Sequence, residues 1–170
     1  MLIFNNCMIN VRKANIKDVD ILIRLWIRFM KVHDAAVLKR NPQLRPHTRL
    51  SNNAILIFRK FISTQIRSKN ALVSIAQAGD KPVGYALTFI KKNIPVFDMD
   101  RLGYISDMYV APEYQGKGVS SRLKDEAFKW LREKKMKYVS LVVYADNEHA
   151  HEVYKNWGFF DQSIEMRREI

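Results

Sequence analysis

The stretch Val110-Ala-Pro-Glu-Tyr-Gln-Gly-Lys-Gly-Val-Ser120 decides how the whole chain reads. It joins a strand end to a glycine loop and a helix start. Ile105 to Val110 is short, mostly apolar and rich in β-branched and aromatic residues, as a buried strand should be. Pro112 has no N–H to give a ladder and ends the strand. Gly116 and Gly118 allow a turn with positive φ, and Leu123, Ala127, Trp130 and Leu131 then recur at helical spacing.

A helix that starts this way presents unpaired N–H groups beside the positive end of its dipole, which suits a phosphate. Three phosphate-loop patterns compete. The dinucleotide fingerprint needs a third glycine where Ser121 stands, and the triphosphate loop needs a wider glycine spacing followed by Lys-Ser/Thr. Both fail. What remains is Gln115-x-x-Gly118-x-Ser120 behind Val110-x-Pro112, with an ordinary β–α turn as the alternative for the loop taken alone.

Downstream, Tyr138 to Ala145 reads as a further strand ending at Asp146-Asn147. A short helix follows to Trp157, and Gly158 is placed to close it. Asn147 and Tyr154 lie two helical turns apart and can face the same way. Read singly, Asn147 is an N-cap and Tyr154 a core aromatic.

Read together, the loop, the pattern Asn147-x-x-Ala150-x-x-x-Tyr154 and the trailing Asn156-Trp-Gly-Phe159 resemble the GNAT N-acetyltransferase superfamily. The family's loop reads Arg/Gln-x-x-Gly-x-Gly/Ala, so Ser120 is a departure, though a small one in volume. The resemblance covers about residues 8 to 168 and implies an α/β single domain whose mixed sheet splays between its fourth and fifth strands. It implies acetyl-CoA as cosubstrate and no metal. Gln115, Gly116, Lys117, Gly118, Val119 and Ser120 would hold the pyrophosphate. The pantetheine would lie in the splay against Met108, Tyr109 and Val110, pairing with backbone groups of Met108 and Val110, and Asn147 would bind it. Tyr154 would stand by the sulfur as general acid, since a phenol of pKa ~10 is protonated at neutral pH. Direct attack by the amine is the family's usual route.

The general base is not fixed by these motifs. Some members of the family use a glutamate on the strand before the loop, and the matching residue here is Ser106. Its neighbour Asp107 is a candidate base, although plain alternation turns it to the other face and favours a structural role. A water chain, His149, His151, Asp98 and Asp100 are the other candidates.

Bulk properties bound the reading. The length of 170 residues suits one domain with a real core. Residues 1–7 form an N-terminal extension, expected to be loose, and residues 8–170 the acetyltransferase domain. Cys7 is the single cysteine, so no intrachain disulfide forms and a cytoplasmic setting fits. No apolar run reaches the length of a membrane span, and a membrane partner is not expected. The net charge of +12 permits nucleic-acid binding. Yet the lysines and arginines are spread along the chain without a recognised nucleic-acid module, so that partner is disfavoured.

The remaining elements complete an order of β-α-α-β-β-β-α-β-α-β. Ile9 to Lys13 is a strand, and Asn15 with Asp18 can cap a helix running to about Lys39. On its apolar face His33 reads as a core or lining residue. Pro42 and Pro46 break the pattern into a basic loop to Leu50, and Ser51 can cap a second helix. Ala71 to Ala78 and Pro82 to Ile90 form a hairpin around Gly79-Asp80. Lys91 to Asp100 is an irregular link, and Phe160 to Glu169 reads as the last strand. Phe128 lies off the buried stripe of its helix, which suggests exposure or a contact with another subunit.

Three functions follow from this reading. The first is acetyl transfer to a primary amine of a small molecule, and the second is acetylation of a protein amino group. The third is a non-catalytic acyl-CoA- or nucleic-acid-binding module on the same fold. A homodimer is expected by resemblance.

Overall fold

A computed structural model of the chain describes residues 8–170, so the expected loose extension over 1–7 lies outside the described residues. Five strands form one sheet in the order β1-β2-β3-β4-β5. They are β1 (Ile9–Lys13), β2 (Ala71–Ala78), β3 (Lys81–Lys92), β4 (Arg101–Val110) and β5 (Val139–Ser140). Neighbours are antiparallel except β4 and β5, which run parallel. The helices are α1 (Val19–Arg40), α2 (Arg45–Thr48), α3 (Ala54–Arg67), α4 (Val119–Glu133) and α5 (Glu148–Asn156).

Helices cover the sheet on both faces because strands β2 and β3 are apolar on both sides. On one face α1 and α3 pack Leu22, Leu25, Trp26, Phe58 and Ile62 against Val73, Ile75, Tyr85, Leu87 and Tyr109. The Trp26 and Phe58 rings stack there at 4.3 Å. On the other face α4 places Val119 and Leu123 against Ala76, Ala78, Val83 and Ala86. The small strand residues let that helix approach closely.

The capping box before α1 forms as expected. Asn15 Oδ1 accepts from the Lys17 amide at 2.9 Å, and Asp18 Oδ2 accepts from the Asn15 amide at 2.8 Å. Arg12 adds a two-pronged contact to Asp18, with both distances 2.8 Å. At the far end Gly158, with φ +87, closes α5. The Phe159 amide bonds to the Tyr154 carbonyl and the Gly158 amide to the Lys155 carbonyl, satisfying the last turn.

Several expectations are corrected. Ser51 does not cap α3: the helix starts after Asn53, and Ser51 contributes only its backbone carbonyl to Ala54. The basic loop contains α2 and a preceding turn, because Pro42 and Pro46 sit in first-turn positions where a missing N–H costs nothing. The strand expected over 138–145 keeps ladder pairing only at Val139 and Ser140. The strand expected over 160–169 does not form among the described residues. Phe128 is half-buried within its own chain, its ring 6.1 Å from that of Phe159.

Candidate active site

The site grows from the point where β4 and β5 part. Their ladder joins only Gly103 to Val139 and Tyr104 to Ser140, after which the two chains separate. This is the splay. On the β3 side, Ala111 N–H bonds to the Val83 carbonyl at 2.8 Å and Tyr85 pairs with Tyr109. Antiparallel alternation therefore turns the main chain of Tyr109 toward β3 and leaves that of Met108 and Val110 toward the gap. Tyr109 is the exception among the three strand residues expected there, because its ring also is buried in the α1-side core. The crossing at Gly84 is tight, since a Cβ there would lie 2.5 Å from the Tyr109 carbonyl oxygen.

The glycine loop follows directly. Gly116 and Gly118 take φ of +71 and +74, values that disfavour any side chain, and nothing lies within 4 Å of where a Cβ would be. The loop is thus open on its outer side. The Gln115 side chain donates to the Val110 carbonyl at 3.1 Å and fastens the loop to the strand end. Lys117 Nζ donates to the Glu113 carbonyl at 2.9 Å. Helix α4 has no side-chain cap, and its Arg122 amide bonds back to Gly118. The amides of Val119, Ser120 and Ser121 precede that bond and stand free for an anion. Ser120 is half-buried at this first turn. Among the described residues no cluster of side chains could hold a metal ion.

Asn147 and Tyr154 sit on the far side of the gap. Asn147 caps α5, its Oδ1 accepting from the Ala150 amide at 3.4 Å and from Arg40 Nη1 at 3.2 Å. The N-cap reading is therefore satisfied by the carbonyl end of the side chain, which leaves the amide nitrogen for another partner. Tyr154 is half-buried, its ring 5.6 Å from Trp157 and 6.0 Å from Phe159. Burial raises its pKa above the usual phenol value, so the hydroxyl keeps its proton at neutral pH.

On the α1 face of the gap, a β-bulge changes the expected pattern. Leu87 pairs with Asp107 but Thr88 pairs with Ile105, so Ser106 has no partner across the ladder. Asp107 consequently shares its face with Tyr104 as well as with Tyr109. Tyr85 Oη donates to Asp107 Oδ2 at 2.8 Å, and Ser106 Oγ donates to Oδ1 at 3.0 Å. Burial pushes the Asp107 carboxyl up, and those two donated bonds pull partly the other way. Tyr104 is raised too, by burial and then by the charge of Asp107. His33 lines the same region, its ring 5.4 Å from Phe29 and 5.2 Å from Tyr144.

Of the other candidate bases, His151 and Asp100 are engaged in contacts with Asp161 and Arg101. His151 is bound to Asp161 at 2.7 Å on the outer side of α5, and Asp161 also meets Lys155 at 2.6 Å. Asp100 pairs with Arg101 in the exposed link. Sequence reasoning missed Tyr85, Tyr104, Tyr144 and Arg40. Only the register between β3 and β4 could have brought Tyr85 beside Asp107, and an undetected bulge blocks that step.

Comparisons with known proteins bear on the family and the fold. The sequence profile described as "Acetyltransferase (GNAT) family" matches residues 39–159. An uncharacterized N-acetyltransferase of Archaeoglobus fulgidus is 22% identical over 144 residues, covering 85% of this chain and 88% of the relative. A tetramutant of the BH1408 protein from Bacillus halodurans superposes with a TM-score of 0.78 at 19% identity, over 95% of this chain and 99% of that one. The structure of AAC(6')-Iy in complex with the bisubstrate analogue CoA-S-monomethyl-acetylneamine superposes with a TM-score of 0.69 at 16% identity, over 96% and 99%. Matching more than half the chain, the family profile settles the assignment: the chain is an N-acetyltransferase of the GNAT family, and acetyl-CoA is its cosubstrate.

Proposed function

We propose that the chain moves the acetyl group of acetyl-CoA directly to a primary amine of a small molecule. The observation that carries this reading is the splay, with an open glycine loop at one end and the half-buried carboxylate of Asp107 on the α1 side. The free amides of Val119 and Ser120, with Gly116, Gly118 and Lys117, fit a pyrophosphate. The backbone groups of Met108 and Val110 and the amide of Asn147 fit the pantetheine arm.

The amine arrives protonated and must lose its proton before it can attack. Asp107 is placed to take it, and its raised pKa makes it a better base than an exposed aspartate. Main-chain N–H groups facing the gap polarise the thioester carbonyl. Tyr154 returns a proton to the departing thiolate sulfur.

A small acceptor is favoured over a protein amino group because Arg40 bridges to Asn147 across the mouth of the gap. A polypeptide segment needs an open groove there. Among the described residues no helix is long and apolar enough to cross a membrane. A cytoplasmic setting is part of the proposal, resting on the single cysteine, Cys7. Two copies are proposed to associate through the exposed apolar tail that carries Phe160, Ile164 and Met166.

The test is calorimetric titration with acetyl-CoA followed by free-thiol release across an amine panel. Binding with release on a small amine is the expected result. Binding without release on any small amine, but with release on protein substrates, would replace this reading by the second. Tyr154→Phe should lower kcat by about 10²-fold or more while acetyl-CoA binding stays intact. An unchanged rate would remove Tyr154 from the chemistry.

A further inference from the structure

The segment that covers the α1 side of the splay is strongly basic. From residue 31 to residue 50 it carries Lys31, Lys39, Arg40, Arg45 and Arg49 against one acid, Asp34. Among the described residues, none of Lys39, Arg40, Arg45 or Arg49 has a carboxylate within 4.0 Å, so this segment's excess of positive charge is not neutralised locally as that of Arg12 is by Asp18 or that of Arg28 by Glu113. Asp34 lies 3.5 Å from the His33 ring.

Arg40 is the cation of this segment that reaches across to α5. It rests on a neutral amide, Asn147 Oδ1, in a shallow depression formed with Val37, Leu44, Tyr144 and Asp146. Asp146 is exposed and lies beyond ion-pair distance of it. A cation in the last turn of a helix gains from the dipole. That gain does not require the side chain to reach across to α5. A guanidinium offers a planar fork of donors that matches a carboxylate, and one amide oxygen uses little of it. The mouth thus presents a cation to the incoming acceptor, while the carboxylate of Asp107 waits further in.

We propose that the acceptor is a primary amine that also bears a carboxylate, with Arg40 binding that carboxylate while the amine is directed to Asp107. This rests on the acetyltransferase reading above and narrows its acceptor. A polycationic amine meets Arg40, Arg45 and Lys39 with like charge, and the same field slows its approach. An amino acid presents opposite ends to opposite charges, and the rigid gap selects the spacing between them.

The experiment compares acceptors with their decarboxylated twins in the thiol-release assay: lysine with cadaverine, ornithine with putrescine, and 6-aminohexanoate with pentylamine. Neamine is included as a polycation. At least one carboxylated twin should exceed its partner in kcat/KM by about tenfold or more, the scale of one charged hydrogen-bonded contact. In Arg40→Gln that ratio should fall toward one, and Arg40→Lys should keep part of it. Equal or better turnover of the decarboxylated twins or of neamine would overturn the proposal. So would an Arg40→Gln enzyme that slows both twins equally. The wild-type ratio decides the matter even where the variant does not fold. Absence of acetyl-CoA binding in calorimetry would overturn the acetyltransferase reading together with this one, whereas binding with release on cations alone overturns only the carboxylate.

Discussion

Asp107 holds a charge where the fold resists one. Its carboxyl is raised by burial and only partly relieved by the Tyr85 and Ser106 hydroxyls. A carboxyl with a folded pKa above its unfolded value contributes stability at pH below the unfolded value, and loses that contribution as pH rises through the folded one. At neutral pH Asp107 is therefore a liability to the fold. Asp107→Asn should raise the melting temperature at pH 7, with the gain shrinking as pH falls below the folded pKa, and should lower kcat by about 10²–10⁴-fold. A melting temperature that falls in this variant, or a kcat that holds, would remove the base role. Tyr85→Phe removes a bond that favours the carboxylate, so the acidic limb of the kcat/KM profile should move to higher pH. A variant that loses activity evenly at every pH would make Tyr85 a packing residue alone.

The elements show which parts of this site the sequence could disclose. Strand β2 is legible because its apolar run and the Gly79 turn bound it on both sides, and it spans Ala71–Ala78 as expected. The glycine loop and α4 are legible because positive φ and helical periodicity are both local demands. The bulge at Ser106 is not local: it exists only as a register between β3 and β4, and no residue type in 104–110 announces it. Without it, alternation separates Asp107 from Tyr104. Pro42 and Pro46 look like breakers in the sequence because a proline cannot continue a helix, but the same residue can begin one. The loop itself gives an element-scale prediction. Gly118→Ala forces a Cβ into a left-handed residue at a cost of about 1 kcal/mol. It also puts a methyl group where a phosphate would approach. The KM for acetyl-CoA should rise about tenfold or more while kcat at saturation changes little, and a KM that stays put would place the pyrophosphate elsewhere.

At the scale of the whole molecule, the outer edge of the sheet is left unfinished. Strand β5 pairs with β4 over two residues, and no strand covers its other side among the described residues. The stretch expected to do so, 160–169, keeps the sequence pattern of a strand without a partner, and Phe160, Ile164 and Met166 are 73%, 86% and 89% exposed. The pattern alone does not make a strand, because a strand is a property of two segments and the sequence displays only one at a time. An open edge beside an apolar, unpaired segment is a template for pairing between chains. A second copy is the matching occupant, since a two-fold arrangement lets each tail pair with the other's β5 edge at once. Sedimentation of the full chain at micromolar concentration should therefore give a dimer. A chain lacking residues 162–170 retains Phe159 beside Tyr154 and Asp161 beside His151, so its own α5 stays intact. That shortened chain should sediment as a monomer. A full chain that is already monomeric, or a shortened one that still dimerises, would place the contact elsewhere or remove it. Should the shortened monomer also lose turnover while binding acetyl-CoA normally, the tail would take part in acceptor binding as well as in assembly.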